Sequence, residues 1–278
     1  MPHSARRRAH LTWALAAAAL IPQSAAYTAT ATRPTPLAPD YVDGWAVTPK
    51  RSTWQGRELM CLVVSDDPSV DNLHSVAHPD HPRYRAFEEL EDPHGALGVW
   101  PSAYAACASL QKIASELKRP PTVLELGCGA GLPSLYASVV LESPRVVATD
   151  VEAVPLAFLE AARSAHVETG SFATCTLDVT YAAVDDIRGY DVVVCADMLY
   201  NTDVATALGA LLGAAACGAG APEFVVCDPG RRGRDHFLDA FGAASGLSPM
   251  FVDQAVPDGC VDVFDGTPIG AVGVLAAR

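Results

Sequence analysis

Four short apolar runs, Val123 to Leu126, Val146 to Thr149, Asp191 to Cys195 and Phe224 to Cys227, recur along the second half of the chain. They are too short for helices and lack polar alternation, which is the pattern of parallel strands covered on both faces. The intervals between them hold apolar positions at helical spacing over Pro133 to Leu141, Val154 to Val167, Val204 to Cys217 and Asp235 to Ala244. Gly170 and Gly218 stand where helices stop. Ser171 to Leu177 alternates as a further strand, and Met250 to Val256 and Ala271 to Ala276 read as a terminal hairpin. The sum is an α/β chain with a doubly wound, mostly parallel seven-stranded sheet, whose strand C-termini form the ligand edge.

Ahead of this core, Ala103, Ala106, Leu110, Ile113 and Leu117 predict a helix from Pro101 to Lys118, ended by Pro120 and Pro121. Residues 41–97 read as a cap or lid, with Glu58 to Val64 as a strand and a stretch rich in Asp, Pro and His from Asp66 to His81. The first 26 residues carry Arg6, Arg7 and Arg8, an apolar stretch from Leu11 to Ile21 and the small residues Ser24, Ala25 and Ala26, as a signal peptide does. Residues 27–40 are hydroxyl-rich and hold no acid before Asp40. Together these segments resemble a two-part plastid leader, with the secretory pathway as the other destination. The domain itself is expected to span 98–278.

Half of the 278 residues are hydrophobic and 18% are charged, which excludes general disorder. Removing residues 1–26 takes three of the 19 Lys+Arg and none of the 32 Asp+Glu, leaving a formal net charge of −16. Such a surface repels nucleic acid and attracts basic proteins. The eight cysteines form no C-x-x-C pair or dense framework, so buried free thiols in a reducing compartment are expected. His74, His78 and His81 lie in a proline-interrupted loop and predict no metal site. No G-x-S-x-G elbow appears, and a monomer that binds no membrane in its mature form is expected.

The run from Val123 to Pro133 passes from a strand through Gly127, Cys128, Gly129, Ala130 and Gly131 into a helix. A dinucleotide site uses a related loop, but Leu132 stands where the G-x-G-x-x-G pattern needs glycine. Glu125, two residues before Gly127, would repel a pyrophosphate and attract a cationic sulfonium or ammonium. Asp150 ends the next strand, either to accept ribose hydroxyls or to cap the following helix. Asp178 ends the third strand, beside an adenine ring or as a turn residue.

Four motifs give the chain its resemblance to the seven-strand protein lysine methyltransferases, and among them to the group of the electron-transfer flavoprotein beta subunit lysine methyltransferase. They are Gly98 to Ala103, Glu125 to Gly131, Ala196 to Tyr200 and Cys227 to Arg231, within residues 98–231, about half the chain. The resemblance implies a class I fold and S-adenosylmethionine as cofactor. It implies that Gly127, Cys128 and Gly129 meet the cofactor's amino-acid end and that Trp100 and Ala196 line its pocket. Relatives often hold a tryptophan beside adenine after the third strand, where this chain has Val179.

Asp197 and Tyr200, at i and i+3 past a strand, can hold an amine by a carboxylate and an aromatic face or hydroxyl, or can serve as a helix cap and a packed ring. With the resemblance they read as the catalytic pair of a protein-lysine N-methyltransferase. A small-molecule amine methyltransferase, a nicotinamide-dependent oxidoreductase and a catalytically silent binding module are the alternatives.

Overall fold

The computed structural model describes residues 41–43, 45–65, 95–166, 170–263 and 266–276, so the leader and the loop holding the three histidines lie outside the described residues. The chain opens with β1 (Tyr41–Val42), β2 (Trp45–Trp54) and β3 (Arg57–Val64), an antiparallel sheet in the order β1-β2-β3. Gln55 and Gly56, both at positive φ, make the two-residue turn between β2 and β3. Leu59 to Val64 are all buried, and β3 packs against helices of the main core. Trp54, at the end of β2, meets Tyr136 edge-on with ring centroids 5.0 Å apart.

The main sheet follows, with α1 (Pro101–Leu117), β4 (Val123–Leu126), α2 (Leu132–Leu135), β5 (Arg145–Asp150), α3 (Ala153–Arg163) and β6 (Ser171–Thr176). Next come α4 (Val184–Ile187), β7 (Val192–Ala196), α5 (Thr202–Ala216), β8 (Glu223–Asp228), α6 (Arg234–Ser245), β9 (Met250–Ala255) and β10 (Ala271–Ala276). The strand order is β6-β5-β4-β7-β8-β10-β9, parallel throughout except for β10, which runs antiparallel to β8 and β9. This is the seven-stranded α/β sheet expected from the sequence. Alternate residues of the central strands feed two cores. Val123, Val192 and Val194 pack with Leu110, Leu135 and Phe158, while Leu124, Leu126, Val193 and Cys195 pack with Leu208, Leu212, Phe237 and Phe241.

One local feature departs from the sequence reading. The helix expected over 133–141 switches after Leu135 to a π-helical turn, Tyr136–Val140, whose wider spacing lets the Tyr136 hydroxyl donate to Gln111 Oε1 at 2.6 Å. Asp185 and Asp186 belong to a one-turn helix, in which Asp186 accepts from the Ala183 N–H. All eight cysteines are free; Cys61, Cys107, Cys128, Cys195 and Cys227 are buried. Among the described residues no helix is long and apolar enough to cross a membrane, and no cluster of side chains could hold a metal ion.

Candidate active site

Register places the ends of β4, β5 and β7 side by side: Leu126 pairs with Thr149 and with Cys195. The chain leaving β4 turns through Gly127, Gly129 and Gly131 at φ of +64°, +48° and +73°, a region open to glycine. A Cβ on Gly129 would lie 2.7 Å from the Gly95 carbonyl oxygen, so the segment before Trp100 is laid directly over the loop. The would-be Cβ atoms of Gly127 and Gly131 likewise meet Met198 and Leu159. The Cα faces of these glycines are thus taken up by packing, and the loop's backbone lines a cleft.

Two carboxylates brace the loop. Asp150 is 5% exposed and accepts from the Gly129 N–H at 2.9 Å and the Glu152 N–H at 3.1 Å. It does not cap α3, whose N-cap is Glu152. Glu125 is fully buried, accepts from the Ser134 N–H at 3.0 Å and from the Ser134 hydroxyl, and still forms part of the cleft wall. Burial pushes its carboxyl up to about 8 against the pull of the two Ser134 bonds. Burial also raises the Cys128 thiol, which keeps it protonated and a poor nucleophile.

Beyond β7, Asp197 takes a left-handed backbone at φ +62°, uncommon for a residue with a side chain. Its N–H donates to the Cys227 carbonyl at 2.9 Å, and its carboxylate, 8% exposed, accepts from Arg231 Nε at 2.7 Å and the Ser102 hydroxyl at 3.3 Å. Burial raises the Asp197 carboxyl and Arg231 opposes that rise. The cap of α5 is Asn201, whose side chain accepts from the N–H groups of Asp203 and Val204. Asp197 is therefore not the cap, and its strained placement serves the cleft.

One cleft gathers Trp100, Glu125, Gly127, Cys128, Gly129, Gly131, Asp150, Ala196, Asp197 and Tyr200, all of them expected from the sequence. Asp178 and Val179 are not among its walls. Asp178 closes a turn by accepting from the N–H and hydroxyl of Thr180 at 2.9 and 2.6 Å, and Val179 is buried in the core beside Leu124 and Val193. Wall or support residues that were not singled out include Gly95, Ser102, Met198 and Arg231. Ser102, Met198 and Arg231 fall inside quoted motifs, so position within a motif was the available signal.

The cleft fits an adenosyl sulfonium: acids sit at its loop end, a backbone turn lines it, and Trp100 supplies an apolar wall. Asp150 can offer charge to an ammonium or acceptors to ribose hydroxyls, since each carboxylate oxygen accepts more than one bond, while Glu125, its carboxyl raised by burial, lines the wall as a hydrogen-bonding group. Fold and cleft define a class I S-adenosylmethionine-dependent methyltransferase. The family described as lysine methyltransferase matches residues 79–241, more than half the chain, and this chain belongs to that family. Among solved structures, magnesium protoporphyrin IX methyltransferase of Synechocystis with bound S-adenosylmethionine is 16% identical, over 63% of this chain and 77% of that one, with a TM-score of 0.46. The same enzyme with bound S-adenosylhomocysteine is 13% identical, over 70% and 93%, with a TM-score of 0.45. A protein of Pyrococcus horikoshii assigned as an RNA methyltransferase is 15% identical, over 69% and 91%, with a TM-score of 0.46. These are likenesses of fold alone. No curated protein matches the chain.

Proposed function

We propose that the chain methylates a lysine side chain of a protein, as the group of the electron-transfer flavoprotein beta subunit lysine methyltransferase does. One observation carries this reading: a nearly buried carboxylate, Asp197, lies at the ligand edge in the same cleft as the glycine loop and Asp150. S-adenosylmethionine supplies a methyl group on a cationic sulfonium, which departs as a neutral thioether. A lysine ammonium, with a reference value near 10.4, must first lose a proton. The ammonium gives that proton to solvent, after which Asp197 orients the amine's N–H bonds and Tyr200 offers a ring or hydroxyl to its side. The acceptor is a basic protein segment, drawn by the acidic surface; nucleic acid is not a partner, and the enzyme acts as a monomer.

The test is incubation of the purified chain with methyl-labelled S-adenosylmethionine and a plastid lysate, followed by hydrolysis of the labelled material. Methyl-lysine in protein supports the reading. Label confined to RNA or to small amines would overturn it.

A further inference from the structure

Arg231 is the one arginine on the cleft wall among the described residues, and its side chain is bonded to Asp197, the residue read as facing the acceptor. Its Nε donates to Asp197 Oδ1 at 2.7 Å, its Nη1 donates to Asp262 Oδ2 at 3.0 Å, and its guanidinium carbon stands 5.3 Å from the centre of the Trp100 ring. Two carboxylates and an indole face make a site for one cation. The side chains of Asp197 and Asp262 are 5% and 13% exposed, so a cation held there exchanges water for carboxylates.

The backbone under this arginine is held by bonds of its own, independent of the side chain. The Arg231 N–H donates to both oxygens of Asp228 at 3.1 and 3.2 Å, Gly230 N–H donates to Asp228 at 2.9 Å, and Arg232 Nε donates to the Tyr200 carbonyl at 2.7 Å. Asp228, fully buried, is itself bound by Arg234 Nε at 2.7 Å. The loop is therefore held by bonds that do not involve the Arg231 side chain, which is 20% exposed.

We propose that Arg231 is an internal stand-in for the acceptor's cation: its guanidinium fills the Asp197–Asp262–Trp100 site, and the acceptor's ammonium enters by displacing it. This deepens the lysine reading and rests on Asp197 facing the acceptor. The displaced arginine sets specificity, because a neutral acceptor gains nothing from the carboxylates and leaves the arginine in place. Only a side chain carrying its own positive charge competes for the site.

The probe is n-butylammonium, a lysine side chain without its backbone, measured by calorimetry in the presence of S-adenosylhomocysteine. Arg231→Gln, which keeps chain length and removes the charge, is expected to bind it at least about tenfold more tightly than the unaltered protein. Arg231→Lys, still a resident cation, is expected to bind it as weakly as the unaltered protein, and Arg231→Gln combined with Asp197→Asn to lose the gain. Where Arg231→Gln does not fold, the Arg231 Nε–H signal of nitrogen-labelled unaltered protein replaces it: n-butylammonium should shift or broaden that signal at concentrations where sodium does not. Equal binding by a folded Arg231→Gln, or an unmoved Nε–H signal, would overturn the proposal. Methyl transfer plays no part in either measurement. Absence of methyl-lysine from the labelled lysate therefore sinks the lysine reading alone, and absence of cation binding sinks this proposal alone.

Discussion

The carboxylate of Asp150 accepts the Gly129 N–H at 2.9 Å, so the end of one strand holds the loop that leaves its neighbour. The pairing of Leu126 with Thr149 brings the two chain ends together, and the left-handed φ of Gly129 turns its N–H toward the acid. The same carboxylate bonds Glu152 with its other oxygen and so also fixes the entry to α3. One side chain joins loop geometry to cofactor charge.

Asp150→Ala should therefore weaken S-adenosylmethionine binding for two reasons, the lost charge and the slackened loop. A charge-assisted bond contributes roughly 1.5 to 3 kcal/mol, which is about a ten- to hundredfold loss of affinity. Asp150→Asn can still accept from Gly129 and should lose less. Calorimetry on folded variants measures both, and an unchanged affinity in Asp150→Ala would remove this residue from the cofactor site.

A side chain at Gly129 meets both an unfavourable φ and a backbone carbonyl 2.7 Å away that cannot rotate aside. Gly246, the left-handed C-cap of α6, has a φ of +73° and open space around it. Gly246→Ala should cost about 1 kcal/mol and leave cofactor affinity intact. Gly129→Ala should cost more and weaken the cofactor as well. Thermal melting with and without S-adenosylmethionine separates the two; equal losses for both variants would contradict the overlay of Gly95 on the loop.

Glu125 gives a pH signature. Its carboxyl, pushed up to about 8 in the fold, returns to about 4.3 in the unfolded chain. Between those values the folded state binds more protons than the unfolded one, so this group's contribution to stability is full below about 4.3 and is lost as pH rises toward 8. Glu125→Gln keeps an acceptor for Ser134 and abolishes that titration. From pH 5 to pH 8 the variant should gain on the unaltered protein by on the order of a few kcal/mol in denaturant melts. A pH-independent difference would mean that Glu125 stays ionised in the fold.

The order of elements was legible because parallel strands buried on both faces leave unbroken β-branched runs, as Val192 to Val194 do. Strand β2 was not. From Thr48 onward it is polar, and Pro49 reads as a breaker. In the sheet, β1 pairs only with Trp45 and Ala46, so beyond them one edge of β2 has no partner strand among the described residues and Pro49 withdraws no donor from the ladder there. Residues within the site's motifs were legible by type, but partnership was not. Arg231 reaches Asp197 and Asp262 across 34 and 31 residues of chain, a relation that only the fold creates. Val179 lies in the core cluster, and a position after a strand does not reveal in advance which way its side chain faces.

The leader permits a direct check. Residues 1 to about 40 should be missing from the mature protein in a plastid, and the remaining cysteines should be free thiols. Mass spectrometry of native protein, with and without alkylation, reads both. An intact N-terminus on the native chain would exclude the plastid route.

Asp197→Asn and Tyr200→Phe should separate cofactor binding from transfer, because the Asp150 bond that braces the glycine loop involves neither residue. Affinity for S-adenosylmethionine should stay within about twofold in both. Asn keeps the shape of Asp and can still accept from Arg231 or Ser102, so the fold and the left-handed turn should persist, as thermal melting can establish. What it lacks is the negative charge that orients the amine and offsets the positive charge that develops on its nitrogen as the methyl group is transferred. Roles of that kind are worth roughly 10² to 10⁴ in rate, and single-turnover transfer by Asp197→Asn should fall within that range. Tyr200→Phe keeps the ring. A loss of less than about tenfold would assign Tyr200 an aromatic face toward the acceptor, and a loss as deep as that of Asp197→Asn would assign it a hydroxyl role. Wild-type transfer rates in both variants would make the Asp197 to Tyr200 motif structural and leave the lysine reading without its chemistry.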